Sequence, residues 1–209
     1  NNIDSSITNQ NLTMAYRSIL ALLDKHKIKG TFAFVAALIM SVLEFKERED
    51  WFDKSNVTIY KNKRWLESFF KSTKGKNFDG WFHPTLLDFV INSGMHHEIA
   101  THGFTHLPLS EYIIDKITFK HEMARVKDVM TMKGVEIKTI VYPRNLIGYT
   151  DLLKEYRIIG YRDRLFSSNS IYFEKIKNIF HELNVLEKSQ LFAVNTNRSS
   201  IESIKIPSG

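Results

Sequence analysis

The chain has 209 residues, 43% of them apolar and 25% charged, which fits one ordinary globular domain and excludes a disordered chain. Cysteine is absent, excluding disulfides and thiolate metal sites, and the longest apolar run, residues 31–43, falls short of the roughly 20 residues a membrane helix needs. The net charge of +6 would suit an anionic partner, but Lys and Arg are scattered rather than gathered in an arm, which speaks against nucleic acid.

Residues 1–11 are polar and read as a loop. They carry no signal-peptide pattern and no initiator Met, so a processed or trimmed product is expected. Leu12, Tyr16, Ile19, Leu20 and Leu23 then follow helical spacing, with Gly30 as the expected stop. Residues 31–36 are short, apolar and β-prone, as in a strand buried on both faces. A helix is expected from Leu38 to about Glu47. The stretch 46–79 is long for a connection and reads as an insertion over one end of the fold, with a short strand at 56–60 and a helix at 65–72. Trp51, Trp65 and Trp81 lie in or beside it and either pack the insertion or line a sugar groove; packing is the commoner use of aromatics.

Pro84 suits a first helical turn, and Leu86, Leu87, Val90 and Ile91 give that helix an apolar face ending at Gly94. Residues 97–101 read as the next strand. Phe119, Met123, Val126 and Met130 make the clearest amphipathic helix, closed by Gly134. A strand at 137–142 is ended by Pro143, followed by a short helix at 149–156 and a strand at 158–161. Phe173, Ile176, Phe180 and Leu183 mark a last helix, and 191–194 a last short strand. This alternation predicts a parallel sheet with helices outside it. A closed eight-stranded barrel takes about 250 residues, so a barrel here would be incomplete or lack an end.

Residues 94–108, GMHHEIATHGFTHLP, hold four of the chain's eight histidines. His102 and His106 follow a strand, four apart, with Gly103 between them and Pro108 just after. Histidines at that spacing can share one face of a helical turn and chelate one metal ion. They could also be hydrogen-bonding loop residues with no metal. His96 and His97 fall on opposite faces of the strand and read as core or surface residues rather than ligands. His121 lies on the polar side of its helix and is expected to be solvated. His26, His83 and His181 read as structural, with a groove-lining role open for His83 beside Pro84. Arg162 and Arg164 flank a strand end and read as solvated.

The run HEIATHGFTHLPLS resembles the second motif of the polysaccharide deacetylase (NodB-like) family, carbohydrate esterase family 4. That motif is His-Ser/Thr-x-x-His after a strand, usually preceded by Gly-x-Glu-Ile. Here it stands as His102-Gly103-Phe104-Thr105-His106, with Gly103 where Ser or Thr is commonest. Residues 22–34, LLDKHKIKGTFAF, resemble the family's helix and strand ahead of it, and 81–87, WFHPTLL, the lead-in to the motif helix. Val141-Tyr142-Pro143-Arg144-Asn145 sits where the third motif falls, in a variant order. The likeness covers roughly residues 12–164.

The resemblance implies an α/β fold, a distorted (β/α) barrel of the NodB-homology type, and a divalent-metal hydrolase. His102 and His106, with an Asp, would hold the metal, most often zinc. The cation would acidify a water and polarise the acetyl carbonyl, a second Asp would take the proton, and a backbone N–H near the third motif would help hold the oxyanion. Arg144 would orient the catalytic Asp through a charge-assisted hydrogen bond, or else be a surface residue at a strand end. Two family features have no match: ahead of the first helix only Asp4 is acidic, with different flanks, and the late His that protonates the leaving amine is missing. The expected function is removal of acetyl groups from an N- or O-acetylated polysaccharide or oligosaccharide, with localisation left open between the bacterial cytoplasm and the cell envelope. The alternatives are a non-catalytic carbohydrate-binding domain on the same fold and an unrelated α/β protein with an anionic partner.

Overall fold

The computed structural model describes residues 7–59 and 63–163. Helix α1 (Asn9–Lys25) starts at Thr8, whose hydroxyl accepts the Asn11 N–H at 3.1 Å. It ends where Lys27 turns left-handed at φ 54°, with the Lys27 N–H donating to Asp24 and the Ile28 N–H to Leu23. Those two bonds satisfy the last carbonyls, so the stop falls at Lys27, ahead of the expected Gly30. Strand β1 (Thr31–Phe34) was expected to be buried on both faces, but only Phe34 is. Among the described residues β1 is an edge strand, with β2 on one side only.

Instead of one helix from Leu38, a 3-10 turn (Ala36–Ile39) precedes α2 (Val42–Glu47). Ser41 and Glu44 cap each other there: the Ser41 hydroxyl accepts the Glu44 N–H and the Glu44 carboxylate accepts the Ser41 N–H. A second 3-10 turn (Glu49–Phe52) leads on to α3 (Glu67–Lys74) and α4 (Thr85–Ile91). The strand expected at 56–60 is reduced to one antiparallel bridge, Thr58 to Arg64. Next come β2 (Glu98–Thr101), α5 (Lys116–Met132), β3 (Thr139–Ile140), 3-10 turns at Pro143–Asn145 and Thr150–Tyr156, and β4 (Gly160–Tyr161). The last helix and strand read from the sequence lie outside the described residues, as do Asp4, Arg164 and His181.

All four strands are parallel, in the order β1-β2-β3-β4, with Phe34 facing Thr101 and Ile140 facing both Thr101 and Tyr161. Sheet order equals chain order, so each connection steps the same way. The protein is therefore an α/β fold, as its alternating pattern predicts. The crossover from β2 to β3 is α5, whose Phe119, Met123, Val126 and Met130 are all buried. In the crossover from β1 to β2 the core is aromatic. Phe52 stacks on Phe69 at 5.1 Å and meets Phe104 at 4.9 Å, while Phe45 sets its edge against both Phe52 and Phe69. Trp81 packs edge-on against Phe69 and Trp51 against Phe104, which is the packing use of both. No helix among the described residues is long and apolar enough to cross a membrane.

Candidate metal centre

Parallel strands all end on one edge. Here that edge gathers His102 after β2, Arg144 and Asn145 after β3, and Arg162 after β4. Backbone bonds lock it together. The His102 N–H donates to the Phe34 carbonyl at 2.7 Å, and the Ala36 and Ala37 N–H groups donate to Gly103 and Phe104 at 2.9 Å each. The Val141 N–H reaches the Thr101 carbonyl, also at 2.9 Å, so the histidine loop is tied to the chain leaving both neighbouring strands.

Within that loop the rings of His102 and His106 lie side by side, centroids 4.7 Å apart and planes at 45°. Their spacing of four is not a helical turn. Gly103 at φ 81° and His106 at φ 63° bend the loop back on itself, which brings the second ring to the first. His102 Nδ1 lies 2.6 Å from the Val141 carbonyl oxygen. A carbonyl can only accept, so Nδ1 carries the proton and Nε2 keeps its lone pair, the tautomer that suits a metal ligand. Burial lowers the His102 pKa, opposed by the Val141 bond and reinforced by the Arg162 charge. Burial, then the charges of His102 and Arg144, brings His106 down to about 4. Both rings are therefore neutral at pH 7, with lone pairs to offer.

Beneath the loop sits Glu122 of α5, wholly buried. Its Oε2 accepts the N–H groups of Phe104 and Thr105 at 3.0 Å each. Its Oε1 accepts the hydroxyls of Thr105 at 2.8 Å and Ser55 at 2.5 Å. Burial pushes this carboxyl above its ordinary range, and the four donors pull it the other way. Sequence reasoning missed Glu122. The available signal was its position on the apolar face of α5, three residues after Phe119 and four before Val126.

Trp65 walls one side of the pair. Its indole N–H donates to the Thr105 carbonyl at 3.0 Å, and its ring lies 6.3 Å from that of His106, tilted by 30°. The Arg144 guanidinium stands over the Trp65 face at 5.3 Å, a cation–π contact that brings this predicted site residue to the same edge. Arg144 and Asn145 both hold positive φ, 56° and 54°, in the turn that begins at Pro143. Arg162 was expected to be solvated. It is half-buried and donates to Asn145 Oδ1 at 2.6 Å, because the chain leaving β4 runs beside the chain leaving β3.

Three further histidines make structural contacts. His97 accepts the Gly30 N–H at Nδ1, 3.1 Å away, and packs its ring 5.1 Å from Phe32. His83 bonds the Thr13 hydroxyl at 2.7 Å and the Thr85 hydroxyl at 2.9 Å, holding α1 to α4 rather than lining a groove. His121 was expected to be solvated but donates Nε2–H to the Trp51 carbonyl at 2.7 Å, since the Glu49–Phe52 turn folds over that part of α5.

His102 and His106 thus fit a divalent cation as two nitrogen ligands. Among the described residues no group of three or more His, Cys, Asp or Glu could hold a metal ion, and a catalytic zinc takes three protein ligands. The fit of these residues is therefore partial. Fold and site together define an α/β protein with a neutral histidine pair on the C-terminal edge of a parallel sheet. A scan against protein-family models finds no match, and a search of curated proteins finds none that matches.

Proposed function

We propose that this chain is a divalent-metal-dependent hydrolase of the polysaccharide deacetylase kind, removing acetyl groups from an acetylated polysaccharide or oligosaccharide. The observation that carries the reading is the His102–His106 pair, with His102 Nδ1 held by a backbone carbonyl and both imidazoles neutral. Among the described residues, four parallel strands in chain order support a (β/α)-barrel arrangement, whose active sites lie on the edge where the pair sits. Bound there, a divalent cation, zinc by the preference of imidazole, would supply an acidified water and polarise the acetyl carbonyl. His102 would offer it Nε2 in a fixed direction, and His106 a second nitrogen. Trp65 gives a half-buried aromatic wall against which a sugar ring can lie. To Arg144 we assign the orienting of a catalytic carboxylate.

The test is metal content and acetate release. Protein supplied with Zn²⁺ and then desalted should retain about one ion per chain and free acetate from an acetylated chito-oligosaccharide. The double variant His102→Ala/His106→Ala should lose both. A wild type that retains no zinc at neutral pH would sink the proposal. Zinc retained without acetate release would favour the carbohydrate-binding alternative.

A further inference from the structure

The loop that carries the histidine pair keeps its backbone bonds to the chain after β1 only as far as Phe104, whose carbonyl accepts the Ala37 N–H, so the shape of the return to His106 is set by side chains. Three of its donors turn inward: the N–H groups of Phe104 and Thr105 and the Thr105 hydroxyl. All three end on the carboxylate of Glu122, which reaches up from α5. The fourth donor, the Ser55 hydroxyl, comes from the segment after the Glu49–Phe52 turn and is itself fully buried. A carboxyl in an apolar layer is costly unless its lone pairs are used, and here four donors use them. Mere filling of that space would be served better by Leu or Met.

We infer that Glu122 is a positioning residue for the metal pair, setting where His106 returns relative to His102, and that Ser55 couples its own segment to the site through the same carboxylate. The inference deepens the metal reading and rests on it for the identity of the ligand. Buried backbone N–H groups need partners, and these two have only Glu122 Oε2 among the described residues. That oxygen accepts whether or not the other one carries a proton, so the clamp works in either charge state. Gly103 passes close over it: a Cβ added there would stand 3.6 Å from Glu122 Oε2.

The test compares Glu122→Leu, Glu122→Gln and Ser55→Ala with Met130→Ala, a cavity variant two turns further along α5. One readout is amide hydrogen exchange at Phe104 and Thr105 without metal; the other is Co²⁺ affinity, followed through the visible absorption of the bound ion. Glu122→Leu should speed exchange at both amides by at least about tenfold beyond any change in Met130→Ala. It should also weaken Co²⁺ by about 10- to 100-fold, the usual range for outer-shell partners of metal ligands. Glu122→Gln should restore both readouts to within roughly threefold of wild type, its carbonyl taking the amides while the hydroxyls rotate to accept from its NH₂. Ser55→Ala, which touches neither ring, should weaken Co²⁺ by roughly threefold, and it decides the matter if the Leu variant does not fold. Exchange and affinity in Glu122→Leu no different from Met130→Ala would overturn the inference, and so would wild-type behaviour of Ser55→Ala where the Leu variant fails to fold. If the wild type binds no Co²⁺ but Glu122→Leu still releases the amides, the metal reading fails and the clamp stands.

Discussion

Strand β2 has a histidine at each end, and the two ends use it in opposite ways. At its start, His97 accepts the Gly30 N–H at Nδ1, so the proton sits on Nε2, which is buried without a hydrogen-bond partner. Next to it, Glu98 takes hydroxyl hydrogen bonds from Thr31 on β1 at 2.5 Å and Thr139 on β3 at 2.7 Å, lacing three strands together. At its end, His102 donates from Nδ1, so the lone pair sits on Nε2, and the carboxylate below it clamps a loop rather than a sheet. The residue types match, a histidine with a glutamate in support. What separates a core imidazole from a candidate ligand is the nitrogen the backbone has already engaged.

The largest expected effect is on metal binding. His102→Ala or His106→Ala should each weaken Zn²⁺ by at least about a hundredfold, since each removes one of two nitrogen ligands, while His97→Ala should leave affinity unchanged. Isothermal titration calorimetry on the three variants reads this directly, and similar losses in all three would erase the contrast. Stability should rank them the other way. His97→Ala strands the Gly30 N–H and opens space beside Phe32, for a loss of about 2 kcal/mol in urea unfolding. His106 is half-buried, and its removal should cost less than about 1 kcal/mol. A larger loss in His106→Ala than in His97→Ala would make the loop end the structural one.

Gly103 sharpens the comparison on the side of backbone shape. Its φ of 81° is a region that side chains avoid, yet the nearest atoms to an added Cβ, Glu122 Oε2 and Pro143 Cγ, stand at 3.6 Å, ordinary contacts. Gly103→Ala should therefore cost about 1 kcal/mol from conformation alone, by urea unfolding, with the loop still formed. A loss of several kcal/mol would mean that the loop cannot shift even slightly over Glu122.

Much of the frame was legible. Four apolar residues at helical spacing placed α5, and the alternation of patterns placed the parallel sheet. Strand lengths were not legible, because the apolar runs at 137–142 and 158–161 outlast the pairing of β3 and β4. Tyr142 shows why: it is buried by the loop after β3, with its hydroxyl donating to the Gly148 carbonyl at 2.7 Å, and belongs to tertiary packing rather than to the sheet. The histidine pair was legible as a spacing, but nothing local announces a left-handed His106. Glu122 was illegible as a partner because its donors lie 17, 18 and 67 positions away in sequence.

The smallest effect lies in acid. Unfolded histidine titrates near 6.5, whereas burial, with the charges of His102 and Arg144, holds His106 at about 4. Between those values the unfolded chain binds a proton that the folded chain does not. The His106 contribution to stability is therefore intact above pH 6.5, falls as the pH drops toward about 4, and levels off below. The ring is half open to solvent, so the loss is on the order of 1 kcal/mol rather than the full value of the shift. His102, also lowered, adds in the same direction, while Glu122, raised by burial, works in the opposite one. Comparing wild type with His106→Gln isolates the one ring: urea unfolding at pH 7 and at pH 4.5 should show the wild type losing on the order of 1 kcal/mol more than the variant. Saturating Zn²⁺ should steepen the wild-type slope, because protons and the cation compete for the same lone pairs. Parallel pH profiles for wild type and variant would mean that His106 is solvated in solution, and the two ends of β2 would then differ in burial as well as in tautomer.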